Sequence, residues 1–358
     1  MKDKKIDIEK LLEANSSGID REIEKLFPRK MSGKWLDFAL GKALYKYDAE
    51  TIHKTISEPL WEFLDRGGKR WRPSLMLLCC EAVGGNTSSI KEFVVFPELI
   101  HNSTLVEDDF EDRSELRRGK PCTYKLFGED IAINLGSMMY MLPFVMLYKN
   151  TKKLSAKKRN EIYDMVVQEL LRVHIGQATD IGWHRGMKEN ISEEEYLQMC
   201  INKTGCLSRL SCRLGALLGN GSEKQIEALG NFGASIGVAF QIQDDILNLI
   251  GEEFAKGKGL GEDIHEGKRT LLVLRVLKKA NEADGKRLIE ILNAHPEDME
   301  TIKEAIGIIK KYGAIEYGKE KAGKIVEKSW KEVDRALKKS GAKETLRAFA
   351  DYLINRKI

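Results

Sequence analysis

Carboxylates are the residues of this sequence with the most chemistry to offer. Glu107-Asp108-Asp109-Phe110-Glu111-Asp112 places five acids in six positions. On a helix, residues four apart share a face, so Asp108 and Asp112 project together with Asp109 about 100° round. Acids this dense repel one another unless a cation sits among them. Hard oxygen ligands of this kind suit Mg²⁺, which commonly bridges a few carboxylates to substrate phosphates. The plain alternative is a solvated acidic face. Against it stand the preceding residues, His101-Asn102-Ser103-Thr104-Leu105-Val106, which make the acids the continuation of a fairly apolar helix. A second cluster, Phe240-Gln241-Ile242-Gln243-Asp244-Asp245-Ile246-Leu247-Asn248, repeats the spacing at the end of an apolar stretch, with Asn248 at the last position. One such motif is weak evidence. Two on separate helices, facing across a cavity, would hold several Mg²⁺ around one diphosphate.

A diphosphate also needs cations, and four basic clusters are interleaved with the acids. Gly67-Gly68-Lys69-Arg70-Trp71-Arg72-Pro73 enters three cations through a glycine pair, and Leu116-Arg117-Arg118-Gly119-Lys120-Pro121 follows the first acidic motif. Lys203-Thr204 sets a cation beside a hydroxyl, and the run from Lys256 through Lys258 to Lys268 resembles a glycine-rich lid. Arginine suits bidentate phosphate contacts and lysine supplies a compact point charge. The last run lacks the GxxxxGK[ST] spacing of a nucleotide-binding loop. Each basic cluster alone reads as solvated surface; the interleaved set does not.

Helices must position these groups. The chain has 358 residues, 42% hydrophobic and 32% charged, with only seven prolines, which suffices for one large all-α domain spanning 1–358. Ser192-x-x-Glu195 and Ser222-x-x-Gln225 read as capping boxes, and Pro296 as a first-turn proline. Ile308, Ile309, Tyr312 and Ile315 form one helical face. Gly84-Gly85-Asn86 and Gly219-Asn220-Gly221 read as turns. With 59 basic and 55 acidic residues, no nucleic-acid partner is expected. The uncharged stretch Ile131 to Tyr148 reaches the lower length of a membrane span. Its Asn134, Gly136, Ser137 and Pro143 favour a buried helix lining an apolar cavity, hence no transmembrane segment. Six cysteines without a CxxC pair, and an N-terminus MKDKKIDIEK without an apolar leader core, predict a cytoplasmic protein with reduced thiols.

From about Gly67 to Lys268 these motifs, in this order, resemble the trans-prenyl diphosphate synthases, the family of the farnesyl and geranylgeranyl diphosphate synthases. The resemblance implies an isoprenoid synthase-type helical bundle around a central cavity, usually as a homodimer. It implies that Asp108, Asp109, Asp112, Asp244 and Asp245 hold Mg²⁺, three ions with diphosphate bound, against an allylic diphosphate. Arg117, Lys203 and Lys258 would contact that same diphosphate. Lys69, Arg72, His101 and Arg118 would bind isopentenyl diphosphate, with Phe240 on its carbon skeleton and Lys268 holding the diphosphate end closed. Thr204, the Lys203 carbonyl and Gln241 would stabilise the allylic cation left when pyrophosphate departs. The family pattern is broken at Asn248, where Asp is commoner, at Glu107, where a neutral residue or His is usual, and at Cys122, where a hydroxyl is common.

Product length follows from where the growing tail meets a floor. Ser103 and Thr104 lie about one helical turn below the metal motif, and residues this small leave the path open beyond C15. Tyr140, Met141 and His174 are the candidate deeper floor, which predicts geranylgeranyl diphosphate (C20), with farnesyl diphosphate or a C25 product as neighbours. Two other readings compete. A class I terpene cyclase also carries two metal motifs, but wants Ser or Thr at position 248 and has no use for GGKRWRP. A non-catalytic partner subunit of a prenyl synthase would have lost aspartates, whereas both Asp pairs are intact.

Overall fold

The computed structural model describes residues 6–149, 154–250 and 260–355. They fold almost entirely into helices, the expected all-α bundle. The principal ones are α1 (Ile8–Leu26), α2 (Trp71–Ala82), α3 (Val95–Glu111), α4 (Glu129–Met141), α5 (Ala156–His184), α6 (Cys206–Leu218), α7 (Glu223–Ile250), α8 (Ala314–Ala336) and α9 (Gly341–Asn355). Their starts follow local chemistry. Asp7 accepts from the Lys10 amide to cap α1, and Ser155 accepts from Lys158 to cap α5. Ser192 and Glu195 cap each other's backbone reciprocally, and Ser222 with Gln225 does the same ahead of α7, as the capping-box pattern predicts.

Two apolar clusters build the core. One joins the N-terminal turns of α1 to α7, α8 and α9; the other lies under α3, α4 and α5. Helices α2 and α6 contribute to both, with Leu75 and Cys79 facing one cluster and Met76 and Cys80 the other. They form the central layer. The cavity opens among α3, α5, α6 and α7, where the two clusters meet.

The uncharged stretch is a core element. Residues 129–149 have the length and hydropathy of a span, but 56% of that window is buried inside the fold. Pro143 divides it into α4 and a short helix, Phe144–Lys149, as expected where a proline cannot complete the backbone ladder.

Three local expectations need correction. Pro296 precedes its helix, which starts at Met299 behind an Asp298 cap. The face running from Ile308 to Ile315 is broken at Gly313, whose φ of 61° ends one helix before α8 begins. Leu116–Arg117 and Lys120–Pro121 pair as an antiparallel two-stranded ribbon in an otherwise helical chain. Its two linking residues, Arg118 and Gly119, have φ of 54° and 75°, the backbone of a tight hairpin matched to strand twist.

Candidate active site

Both acidic motifs stand at helix C-terminal regions, where the helix dipole disfavours negative charge. The first closes α3, with Asp112 as its C-cap. Asp108 Oδ1 accepts from Gln177 Nε2 at 3.0 Å and Lys203 Nζ at 3.3 Å. Asp109 is fully buried and accepts from the Arg117 guanidinium, with Nε at 2.7 Å. Asp112 lies 3.5 Å from Lys268 Nζ. Across the cavity on α7, Asp245 accepts from Tyr196 Oη at 2.7 Å and from Gln241 Nε2 at 2.9 Å. Asp244 lines the same cavity as Asp108. Burial pushes the Asp112 carboxyl up to about 7, aided by the neighbouring Asp108. Burial also raises Asp245 to about 6, against the hydrogen bonds from Tyr196 and Gln241.

The cations converge on the same space. A five-residue π segment, Ile201–Gly205, runs without interruption into α6 and carries Lys203 and Thr204; such wide turns recur at functional sites. Gly176 of α5 permits the approach, since a Cβ there would stand 2.2 Å from the Lys203 amide nitrogen. Lys203 Nζ thereby reaches Asp180 Oδ2 at 2.6 Å as well as Asp108. Burial opposes charge on Asp180, yet Lys203 and Lys268 hold its carboxyl below the usual range. Thr204 Oγ1 donates to Gln241 Oε1 at 2.9 Å, which fixes that amide so its nitrogen faces Asp245. Lys268 sits among Glu266, Asp263 and Asp112.

The ribbon aims its two arginines differently. Arg117 pairs with Asp109, while Arg118 Nη2 reaches Asn102 Oδ1 at 3.3 Å. Arg118 is pulled down to about 10 by burial, though Glu98 favours its charge. His101 is held far below its ordinary range by burial and by Arg72 and Arg118, so it is neutral near pH 7. Arg72 stacks on Trp71 with its guanidinium carbon 4.3 Å from the ring centroid, and lies 5.9 Å from the Phe240 ring.

One cavity of about 180 Å³ collects Arg72, His101, Thr104, Asp108, Arg117, Lys203, Thr204, Phe240, Gln241, Asp244 and Lys268 at its polar end. Tyr140, Val173, His174 and Leu207 line its other end. Not every expected residue joins them. Met141 is 58% exposed and points outward, because one residue along a helix turns about 100° from Tyr140. It is not part of the floor of this chain. Ser103 is buried beneath the lining, donating to Gly136 O at 2.6 Å. Lys69 is exposed and donates to Tyr352 Oη at 2.9 Å, and Lys258 lies outside the described residues. Arg70, central in the basic motif, is tied to Asp20 and Glu98. Sequence reasoning missed Gln177 and Asp180. Their i, i+3 spacing beside Gly176 was the available signal. Asn248 accepts the Asp263 amide on its side chain, at 3.2 Å, and the Gly261 amide on its carbonyl, at 2.9 Å. It therefore anchors the segment that carries Lys268.

Among the described residues, no three acidic, His or Cys groups converge closely enough to enclose an ion by themselves. Asp108 and Asp244, which line one cavity, are hard oxygen donors of the kind Mg²⁺ takes one or two at a time, its shell completed by water and substrate phosphate. A consequence for stability follows. Asp112 and Asp245 have folded pKa values above their unfolded ones, so folding binds protons there. That contribution is fully present below about pH 4 and is lost as pH rises through about 6 to 7. Melting temperature of the metal-free protein is therefore expected to fall between about pH 4 and pH 7 and to level off above that, and Asp112→Asn to flatten the slope. An equal slope in the variant counts against this assignment.

Residues 53–309 match the family model for polyprenyl synthetases. The chain is 38% identical over 315 residues to a short chain isoprenyl diphosphate synthase of Methanothermobacter thermautotrophicus, covering 86% of this chain and 94% of that one. The crystal structure of geranylgeranyl pyrophosphate synthetase from Pyrococcus horikoshii Ot3 superposes with a TM-score of 0.83 at 32% identity, over 98% of this chain and 99% of that one. A geranylgeranyl pyrophosphate synthase from Corynebacterium glutamicum, complexed with isoprenyl diphosphate and magnesium, gives 0.80 at 25% identity, over 98% and 100%. With two acidic motifs and a ring of cations at one end of an apolar-ended cavity, and with relatives matched across most of their length, this chain belongs to the polyprenyl synthetase family and is a prenyltransferase.

Proposed function

We propose that the protein catalyses Mg²⁺-dependent head-to-tail condensation of isopentenyl diphosphate with allylic diphosphates, releasing pyrophosphate and ending chiefly at geranylgeranyl diphosphate. The observation that carries this reading is the mixed lining of one cavity, which brings carboxylates and cations together with Val173, Leu207, Tyr140 and His174. Asp108, Asp112, Asp244 and Asp245 would hold Mg²⁺, three ions with diphosphate bound; Asp109, expected as a fifth ligand, is fully buried against Arg117 and would act with them by holding that arginine. When bound, Mg²⁺ supplies Lewis-acid stabilisation of the departing pyrophosphate. Arg117 and Lys203 neutralise the same diphosphate from fixed positions, so little reorganisation is needed as charge develops. Lys258 belongs with them by sequence. Arg72, Arg118 and neutral His101 take the isopentenyl diphosphate, with Lys69 leaving Tyr352 to join them, and Phe240 packs on its carbons. The Thr204–Gln241 pair, with the Lys203 carbonyl, presents oxygen dipoles to the allylic cation. Lys268, on its anchored segment, closes the polar end against water, which would quench that cation.

A tail that passes Thr104 would meet Tyr140 and His174, which line the same cavity. Val167, Leu171 and Ile175, four residues apart on α5, form an exposed apolar stripe, and Ile133 and Met141 of α4 are exposed as well. This supports a homodimer, in which the stripe is covered by a second copy. The six buried, unpaired cysteines support a cytoplasmic setting. Incubating the purified chain with Mg²⁺, labelled isopentenyl diphosphate and dimethylallyl, geranyl or farnesyl diphosphate tests the reading. A C20 diphosphate is expected, from a species of twice the chain mass. Failure of folded protein to condense any primer would sink it.

A further inference from the structure

We propose that Glu107 sets the reach of the cavity by fixing the Tyr140 ring across its apolar end, which makes it a positioning residue for product length. The inference rests on the synthase reading above. Glu107 precedes the first metal motif, but its side chain turns toward α4. Its Oε2 accepts from Tyr140 Oη at 2.9 Å, and both residues line the cavity. Tyr140 is 5% exposed, and a buried phenol without a partner is costly, so this bond selects one ring position. The ring then stands edge-on to His174, centroids 5.0 Å apart. Two rings joined in this way form a rigid wall.

The seat for Glu107 is built into α4 one turn before Tyr140. A Cβ at Gly136 would lie 2.7 Å from Glu107 Cγ and 3.0 Å from its Oε1. Only glycine leaves room for the carboxylate to lie across the helix and meet the phenol. The Ser103 hydroxyl, donating to the Gly136 carbonyl, pins the same turn to α3. Glu107 also lines a second, outer cavity of about 320 Å³ with Val106, Phe110, Glu111 and Ile133. Its side chain is part of the partition between the two spaces. Removing the acceptor frees the ring to swing and opens the partition, so the tail grows further before it stops.

Three variants test the lock, with total condensation and product length measured together. Glu107→Leu fills the seat but removes the acceptor, and Tyr140→Phe removes the donor alone. Each is expected to raise the share of products longer than the parent's main product about fivefold, the population change that one lost hydrogen bond brings. Glu107→Gln keeps an acceptor and is expected to keep the parental distribution. The double variant Glu107→Leu with Tyr140→Phe is expected to go no further than either single one. Unchanged lengths in Tyr140→Phe, which removes one oxygen and keeps the fold, overturn the proposal even if Glu107→Leu does not fold. A shift in Glu107→Gln as large as in Glu107→Leu overturns it too, pointing to charge near the metal motif. A parent chain that condenses nothing defeats the synthase reading itself, a result distinct from active variants with parental lengths.

Discussion

Replacing Asp108 by Asn lowers kcat by at least about a thousandfold, the scale on which preorganised charge at a reacting centre acts. Asn is nearly isosteric, so the effect isolates charge. The neighbours of Asp108 each retain another partner. Lys203 keeps Asp180, Arg117 keeps Asp109, and Gln177 keeps Glu111 at 2.7 Å. No buried cation is left alone, and the melting temperature is expected to hold. It is expected to rise slightly at neutral pH, because Asp108 is one of the charges that hinder ionisation of Asp112. The variant should also lose most of the thermal stabilisation that Mg²⁺ and pyrophosphate together give the parent, since ligand-linked stability scales with affinity. Steady-state rates at saturating Mg²⁺, with melting curves in both states, check both halves. A loss of only tenfold, or an unfolded variant, would remove Asp108 from the centre of the mechanism. Asp109→Asn is the informative contrast. It strips the buried partner of Arg117, so its damage should appear first in stability.

The acidic motifs were legible because the helix repeat alone dictates which carboxylates share a face. The all-helical class was legible for the same reason, helped by capping pairs such as Ser192 with Glu195. Details set by other parts of the chain were not. The exposed position of Met141 depends on the rotation of α4 against α3, although the 100° step from Tyr140 already forbade both from facing one floor. Arg118 is a left-handed residue without a glycine's freedom, so the ribbon it turns is hidden in a run that reads as charge alone. The π segment at Ile201–Gly205 has no propensity signature; it exists because Gly176 lets α5 press against it. Lys69 donates to Tyr352, on the last helix, a pairing no local pattern encodes. Asn248 reads in sequence as a break in the family pattern, and in the fold it holds the backbone of the segment that leads to Lys268. Lys203 was assigned to diphosphate by order in the motif set. What the motif order does not display is its ion pair with Asp180, one helix away on α5, which shares its charge before any substrate arrives.

Arg70→Met destabilises the fold by about 3–5 kcal/mol, the usual cost of leaving one partner of a buried ion pair alone. Arg70 is 4% exposed and Glu98 3%. Arg70 donates to Glu98 Oε1 at 2.8 Å, to Asp20 Oδ1 at 2.9 Å and to the Leu64 carbonyl at 2.9 Å, from a backbone held at φ 46°. Met fills similar volume but supplies no donor, so Glu98 would keep only the Asn102 amide, 2.8 Å from Oε1. A fall in melting temperature of roughly 4–7 degrees is expected for a chain of this size. Glu98→Gln in the same background should restore part of it by removing the stranded charge, and that rescue separates electrostatics from packing. The consequence reaches the site through one further link. Asn102 Oδ1 accepts from Arg118, so loosening Glu98 loosens the arginine assigned to isopentenyl diphosphate. KM for that substrate should rise while kcat, which the proposed mechanism places at the acidic motifs, changes less. If Arg70→Met melts like the parent, the pair is not the buried strut its geometry indicates. If it melts early with an unaltered KM, Arg118 is positioned by its own hairpin and not by this chain of contacts.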